Sequence, residues 1–443
     1  MKITFIRPGI GRVNPEKPEL ATIEPLSLAL LSAMTPPEID RAFYDDRIEN
    51  IPFDEPTDFA VLTVETFTAK RAWEISAEYK RRGVMVIAGG IHVSLIPSEA
   101  LMNVNSICIN DAESVWAEIL DDMATGNLKP WYQGNNGEPQ NGFLPDRRLF
   151  KGKKYLPLSL VQFSRGCPYS CNFCAPAVYF DRKMFHRQID SVIKEISEQK
   201  LKNILFVDDN ITANQERATE LFQELAKLKI RWGSQGSIEM TRNKKLMEAM
   251  AKSGCIGHVL GVESIDKSNL LHINKIPNLN QDIDTAIDIF RDFGFQSWAA
   301  LTVGHDNDTP DTIRNLVDYV IRKKFAFAAV NMLVPYPGTE LYKQLSSGKR
   351  LAFSGKWWLH PEYQYNEAPF IPARMTRQQL TTACADGWEK FYSHSSIASR
   401  SFDFKTNLSS PFRAGIFLVY NYIFRWEYYR TNFMKFGLEH HYR

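Results

Sequence analysis

Short apolar runs alternate with amphipathic stretches over the first 130 residues. Positions 3–6, 59–63, 84–87 and 107–109 are mostly apolar and read as buried strands. Positions 26–33 and 69–81 carry apolar residues at helical spacing. Strands alternating with helices predict parallel βαβ units and a doubly wound sheet. The stretch YQGNNGEPQNG (132–142) has the composition of a linker. Beyond it the alternation resumes on a larger scale, with strands at 159–163, 204–207, 231–236, 258–261, 297–303 and 328–334. Helices are predicted at 189–200, 215–228, 243–252, 281–293 and 310–323. About six β/α units in roughly 180 residues predict a partial (β/α)6 TIM-type barrel. From about 345 the alternation stops and aromatic residues become frequent. The expected architecture is therefore α/β: an N-terminal doubly wound Rossmann-like domain (1–130), a linker (131–150), a partial barrel (151–345) and a mostly helical C-terminal extension with an aromatic tail (346–443).

Composition narrows the possibilities little. Lys and Arg total 53 against 51 Asp and Glu, a formal net charge of +2, so no broad electrostatic footprint for nucleic acid exists. No run of 18 apolar residues suggests a spanning helix. MKITFIRPGIG reads as a first strand and turn rather than a signal peptide, and a cytoplasmic location is expected.

Three of the six cysteines, Cys167, Cys171 and Cys174, fall within FSRGCPYSCNFCAP (163–176). A closed structural zinc site needs four ligands, and no His or Cys partner follows at finger spacing. Thiolates are the normal ligands of iron–sulfur clusters, and three of them leave one iron of a cubane free. The loop follows the first barrel strand, at the end where such barrels carry their chemistry. Cys108, Cys255 and Cys384 lie alone among apolar or small residues and read as core.

The loop resembles the signature of the radical S-adenosylmethionine (SAM) enzymes, and Cys167, Cys171 and Cys174 match the family's cluster ligands one for one. Further stretches resemble the family in order: FVDDN (206–210), GSQGSIEM (233–240), GHVLGVES (257–264), INKIPN (273–278), TVGHDNDTP (302–310) and VPYPGTELY (334–342). The resemblance implies a 4Fe–4S cluster whose free iron chelates the methionine part of SAM, and reductive cleavage to a 5′-deoxyadenosyl radical. It makes Asp208, Asp209, Gln235, Ser237 and Glu263 candidates for contacting SAM. Gln235, Ser237 and Glu239 alternate, as they would on one face of a strand. A helix N-cap is the plainer reading for Asp209 or Asn210, and a surface salt bridge for Lys275. The family also implies a low-potential electron donor such as flavodoxin or ferredoxin.

The N-terminal stretches are similar to the cobalamin-binding domain of cobalamin-dependent radical SAM enzymes. Gly89, Gly90 and His92 correspond to a Gly-Gly-x-His run common there, and Glu113 is retained from a Gly-Glu-x-Glu segment. Thr66 follows a neighbouring parallel strand, and all these strand ends share the sheet edge where open α/β sheets bind ligands. The Asp-x-His-x-x-Gly sequence that supplies an axial histidine in many cobalamin proteins is absent. For His92, an axial ligand and a turn or supporting role are the alternatives.

The two cofactors together imply C-methylation at an unactivated carbon. Radical cyclisation, ring rearrangement or oxidation without methyl transfer is the alternative within enzymes, and a non-catalytic iron–sulfur or cobalamin sensor the alternative outside them. The substrate is expected to be a small molecule. Between Ile416 and Phe436 aromatic and apolar residues mix with Arg425, Arg430 and Lys435, which suits either a helix packed on the barrel or a peripheral membrane contact. The second reading favours a lipid or isoprenoid substrate. No residue is singled out as catalytic.

Overall fold

The computed structural model describes residues 1–11, 19–137, 139 and 142–437. A first sheet holds β1 (Lys2–Arg7), β2 (Asp40–Asp45), β3 (Phe59–Thr63), β4 (Met85–Gly89), β5 (Ser106–Ile109) and β6 (Trp131–Gln133). The order is β2-β1-β3-β4-β5-β6 and every pairing is parallel. Alternate side chains feed two cores, as the pleat requires. Ile6, Ala60, Leu62, Val86 and Ala88 pack toward helix Ala69–Arg81. Ile3, Phe5, Val61, Ile87 and Cys108 pack toward helices Leu26–Met34 and Trp116–Thr125. The order reverses between β1 and β3, so the switch point of the sheet lies there.

Two strands escaped the sequence pattern. β2, DRAFYD, is an edge strand with three charged residues and lacks an apolar run. β6 lies inside the stretch read as linker, and its residues pair with Ile107–Ile109 of β5. The linker reading over 131–150 is thus corrected at its start, where an edge position tolerates the polar sequence WYQ. It is corrected again near its end, where Phe150 is buried in the first sheet's core.

The second sheet has the order β14-β13-β12-β11-β10-β7 and is wholly parallel. Its members are β7 (Ser159–Val161), β10 (Asn203–Phe206), β11 (Arg231–Gly236), β12 (Cys255–Glu263), β13 (Gln296–Val303) and β14 (Phe327–Met332). The strand expected to reach Phe163 stops at Val161. The Asp208 carboxylate takes the backbone N–H groups of Phe163 and Ser164, which withdraws them from the ladder. The chain then enters a two-stranded antiparallel ribbon of β8 (Ser164–Gly166) and β9 (Met184–His186). This six-stranded open arrangement is the partial barrel. Gly233 and Gly261 share a face with Ala300 and Ala329, which are only half-buried. Filled barrels use branched residues at such positions. Small ones leave this interior open.

The chain from about 345 ties both parts together. Trp357, Trp358, Tyr363 and Phe436 enter the core of the first sheet. Helix Arg377–Phe391 covers the β14 edge: the Trp388 Nε1–H donates to Val330 O at 2.6 Å, and the Tyr392 hydroxyl donates to Ala328 O at 2.8 Å. Helix Pro411–Thr431 sets Phe417 against Phe327, with Phe424 packed on Trp298 at 4.6 Å. No helix among the described residues is long and apolar enough to cross a membrane.

Candidate active site between two parallel sheets

The β8–β9 ribbon brackets the cysteine loop. Gly166 adopts φ +80°, and a Cβ there would collide with the Lys183 carbonyl, so glycine is required. Cys174 caps helix Ala175–Tyr179, and its N–H donates to Cys171 O at 3.1 Å. Outside support comes from three places. Asn172 Nδ2 donates to His272 O at 3.0 Å, Asn274 Nδ2 to Ser170 Oγ at 2.6 Å, and Leu341 N to Asn172 O at 2.9 Å.

Cys167, Cys171 and Cys174 are free thiols of intermediate exposure. Burial pushes all three up, Cys174 to about 12, and Cys174 also feels the charges of the other two. Among the described residues, no three His, Cys, Asp or Glu side chains converge on a single ion. The three thiols lie close enough for their charges to influence one another. Asn210 Nδ2 lies 3.9 Å from the Cys167 sulfur.

The candidates for SAM divide by position. Asp208 is fully buried and its oxygens are committed to Phe163 and Ser164, including the Ser164 hydroxyl at 2.5 Å. Burial raises it to about 7. It shapes the root of the cysteine loop and presents no exposed surface to an ammonium donor. Asp209 accepts from Gly166 N at 2.8 Å, immediately before Cys167, and stays half-buried. β11 ends at Gly236, so the expected alternation of Gln235, Ser237 and Glu239 breaks: the last two lie in a turn and a 3-10 segment. Gln235 alone stands exposed at the strand's end. Ser237 is buried, its N–H on Asn210 Oδ1 at 3.3 Å, and Glu239 accepts from the Tyr169 hydroxyl.

Glu263 terminates β12 with φ +59° and binds Lys275 Nζ at 2.7 Å. This is a mostly buried pair rather than the surface salt bridge that was one alternative, because Gly261 leaves room for the ammonium: a Cβ there would lie 2.6 Å from it. Burial works to lower Lys275, but Glu263 and the neighbouring Cys171 outweigh it and raise the ammonium's pKa. A fixed cation thus sits beside the thiols.

A cavity of about 360 Å³ opens at the carboxyl edge of the first sheet. Gly89, Gly90 and Glu113 line it from that sheet, and Gln162, Arg165 and Tyr179 from the barrel. Gly90 at φ +107° approaches Val64 so closely that a Cβ would meet its oxygen at 2.6 Å. His92 and Thr66 do not line the cavity. His92 is fully buried, with Nδ1 3.2 Å from Thr66 Oγ1 and Nε2 3.1 Å from Glu99 Oε1. Both ring nitrogens have partners within the fold, an arrangement that suits a supporting role. Glu99 also accepts from Trp358 Nε1 at 3.1 Å and Lys356 Nζ at 3.2 Å, drawing the C-terminal part onto the first sheet.

The family profile of the Radical SAM superfamily matches residues 161–320, the stretch that contains the cysteine loop and the strands after it. Residues 161–320 thus match a radical SAM domain. Along most of its length the chain is also similar to the bacteriochlorophyllide d C-12(1)-methyltransferase of Chlorobaculum tepidum. They are 26% identical over 389 residues, covering 85% of this chain and 84% of that one. The fold is shared with two solved structures. The radical SAM methyltransferase TsrM of Kitasatospora setae, with cobalamin and a [4Fe-4S] cluster bound, superposes with a TM-score of 0.61 at 16% identity, covering 87% of this chain and 88% of that one. The cobalamin-dependent radical enzyme OxsB gives 0.64 at 13% identity, over 95% of this chain and 70% of that one.

Several residues that build this site carry no motif. Arg165 precedes Cys167 by two positions and reaches Glu113 and Asp111 of the first sheet. Asn172 and Asn274 fasten the loop through bonds spanning 100 or more positions. An arginine just before a clustered-thiol loop was the available signal. The asparagines had none.

Proposed function

We propose that this chain is a cobalamin-dependent radical SAM C-methyltransferase acting at an unactivated carbon of a small molecule. One observation carries the reading: Gln162, Arg165 and Tyr179, which flank the three-thiol loop, share a cavity with the carboxyl edge of a parallel sheet whose Gly89 and Gly90 admit a large ligand. TsrM and OxsB, which share the fold, are described with cobalamin bound. Cys167, Cys171 and Cys174 would hold the 4Fe–4S cluster. Asp209, Gln235 and Glu263 stand at the strand ends where SAM would lie. Gly89, Gly90 and Glu113 would border cobalamin. Together these cofactors supply hydrogen abstraction from carbon and methyl donation to it.

The protein's own part is positioning and exclusion. Lys275, fixed by Glu263, offers a cation to the charge carried on the thiolates. The open inner face around Gly233, Gly261, Ala300 and Ala329 makes room for the adenosyl group. The proposed division is a cobalamin domain over 1–130 extended by the strand at 131–133, a radical SAM barrel over 151–345 and an extension over 346–443. The electron comes from a low-potential donor such as flavodoxin or ferredoxin.

The outer side of helix Pro411–Thr431 exposes Leu418, Tyr422, Trp426 and Tyr429, with Trp426 40% accessible. Their three- and four-residue spacing makes one stripe. This arrangement supports peripheral contact of a cytoplasmic protein with a membrane surface and, with it, a lipid or isoprenoid substrate.

The test is turnover by anaerobically reconstituted protein supplied with cobalamin, SAM and reductant. Both 5′-deoxyadenosine and S-adenosylhomocysteine are expected. Formation of the first without the second overturns methyl transfer.

A further inference from the structure

A second cavity, of about 420 Å³, lies beside the switch point of the first sheet. Its walls come from all three parts of the chain: Arg7, Glu65 and Phe67 follow β1 and β3, Asn331 belongs to β14, and Phe424 and Tyr428 to the inner side of helix Pro411–Thr431. Tyr365 and Trp388 add two more aromatic faces. The volume lies within the range of sites for small organic ligands.

Most charges on these walls are already matched. Arg430 binds Glu427 at 2.7 Å and Glu19 at 3.2 Å, and Arg47 binds Asp45 at 2.7 Å. Arg7 engages Glu65 through Nη2 at 2.9 Å. Its Nη1 differs: among the described residues of this cavity it is the buried side-chain polar atom with no hydrogen-bond partner. A buried guanidinium N–H left unpaired is costly, and an oxygen acceptor on a ligand relieves that cost. Asn331 stands exposed at the carboxyl end of its strand, on the face it shares with Thr302 of β13.

The cavity also reaches toward the chemistry. Phe67 meets Tyr336 edge-to-face at 6.1 Å, and Tyr336 lies near enough to Cys174 and to Glu65 to feel both charges. Tyr336 therefore stands between the cysteine loop and this cavity.

We infer that this cavity is the substrate site and that it takes a ring-bearing carboxylate, its acid group on Arg7 Nη1 and Asn331 and its ring system against Phe67, Tyr365, Trp388 and Phe424. The inference rests on the methyl-transfer reading for what happens to the ligand, but not for its binding.

The experiment titrates the full chain with 1-pyrenebutyric acid and with its methyl ester, following tryptophan quenching without SAM or reductant. The acid is expected to bind about tenfold or more tightly than the ester, the difference one charge-assisted hydrogen bond makes. Arg7→Gln should erase that preference. Arg7→Lys keeps a cation beside Glu65, so the fold is preserved, but its single nitrogen cannot span Glu65 and the ligand as the guanidinium fork does, and it should reduce the preference. Asn331→Leu should weaken the acid about threefold or more. Equal binding of acid and ester, or a preference that survives in both Arg7 variants, overturns the assignment. Because no turnover is read, a failed titration leaves methyl transfer standing, and absence of S-adenosylhomocysteine leaves the site standing.

Discussion

Arg165 and Glu113 meet in a two-pronged ion pair, Nη1 to Oε2 at 2.6 Å and Nη2 to Oε1 at 2.5 Å, although 52 positions separate them in the chain. One belongs to the strand that leads into the cysteine loop and the other to the edge of the first sheet. Both are mostly buried, and Arg165 also binds Asp111 at 3.1 Å. Removing one partner of such a pair strands a charge and costs about 3–5 kcal/mol. Arg165→Ala and Glu113→Ala are each expected to lower stability in urea and to reduce iron retained after reconstitution. The double variant should lose clearly less than the sum of the two. Additive losses would show that the pair does not couple the halves.

Single alanine variants of Cys167, Cys171 and Cys174 are expected to abolish 5′-deoxyadenosine formation. Iron should fall well below the roughly four per chain of an intact cubane. The same change at Cys384, a core thiol bonded to Val330 O at 3.1 Å, should leave iron content unchanged. Normal iron in any loop variant argues against the cluster.

The buried His92–Glu99 contact predicts a pH signature. Burial works to raise Glu99, but the hydrogen bonds from His92, Trp358 and Lys356 outweigh it and hold the carboxyl at about 2, below its ordinary 4.5. A depressed carboxylate stabilises the fold fully above pH 4.5 and loses that contribution as pH falls toward 2. Glu99→Gln should flatten the stability profile across this window and cost on the order of 2–4 kcal/mol at neutral pH. His92→Asn should destabilise while leaving cobalamin affinity within about threefold. A changed corrinoid spectrum in that variant would restore the histidine as a ligand.

Two adjacent glycines should respond differently to the same substitution. Gly90→Ala places a methyl 2.6 Å from Val64 O at φ +107° and should cost about 1–3 kcal/mol. At Gly89 the nearest atoms lie 3.7 Å away, so Gly89→Ala should fold normally while crowding the cavity it lines. Thermal melting and cobalamin titration separate the two. Equal stability of both variants contradicts the strained geometry.

The aromatic stripe is tested by replacing Tyr422, Trp426 and Tyr429 with serine. Exposed positions of this kind change stability by less than about 0.5 kcal/mol each, so the fold should persist. Flotation with vesicles containing one-third anionic lipid should drop severalfold. Unchanged flotation removes the membrane contact.

Much of this arrangement was legible because it is periodic. Helix Ala69–Arg81 and strand Arg231–Gly236 fall where apolar spacing places them. The cysteine loop was legible because its spacing is itself the chemistry. What stayed hidden depends on partners distant in sequence. β2 and β6 are edge strands whose residues need to satisfy only one neighbour, so neither shows an apolar run. His92 could not be told from a ligand, because the carboxylate that occupies it is held by Trp358, 259 positions beyond. Lys275 and Glu263 differ by only 12 positions, but their burial depends on the empty space above Gly261.

The free border of β14 has a consequence of its own. Where a closed barrel would add two more strands, three side chains of one helix grip single peptide groups at Ala328 and Val330. Leu380, Ala383 and Phe391 bury in the same core as Val330 and Met332, so side-chain packing seals this border where a closed barrel would use backbone ladders.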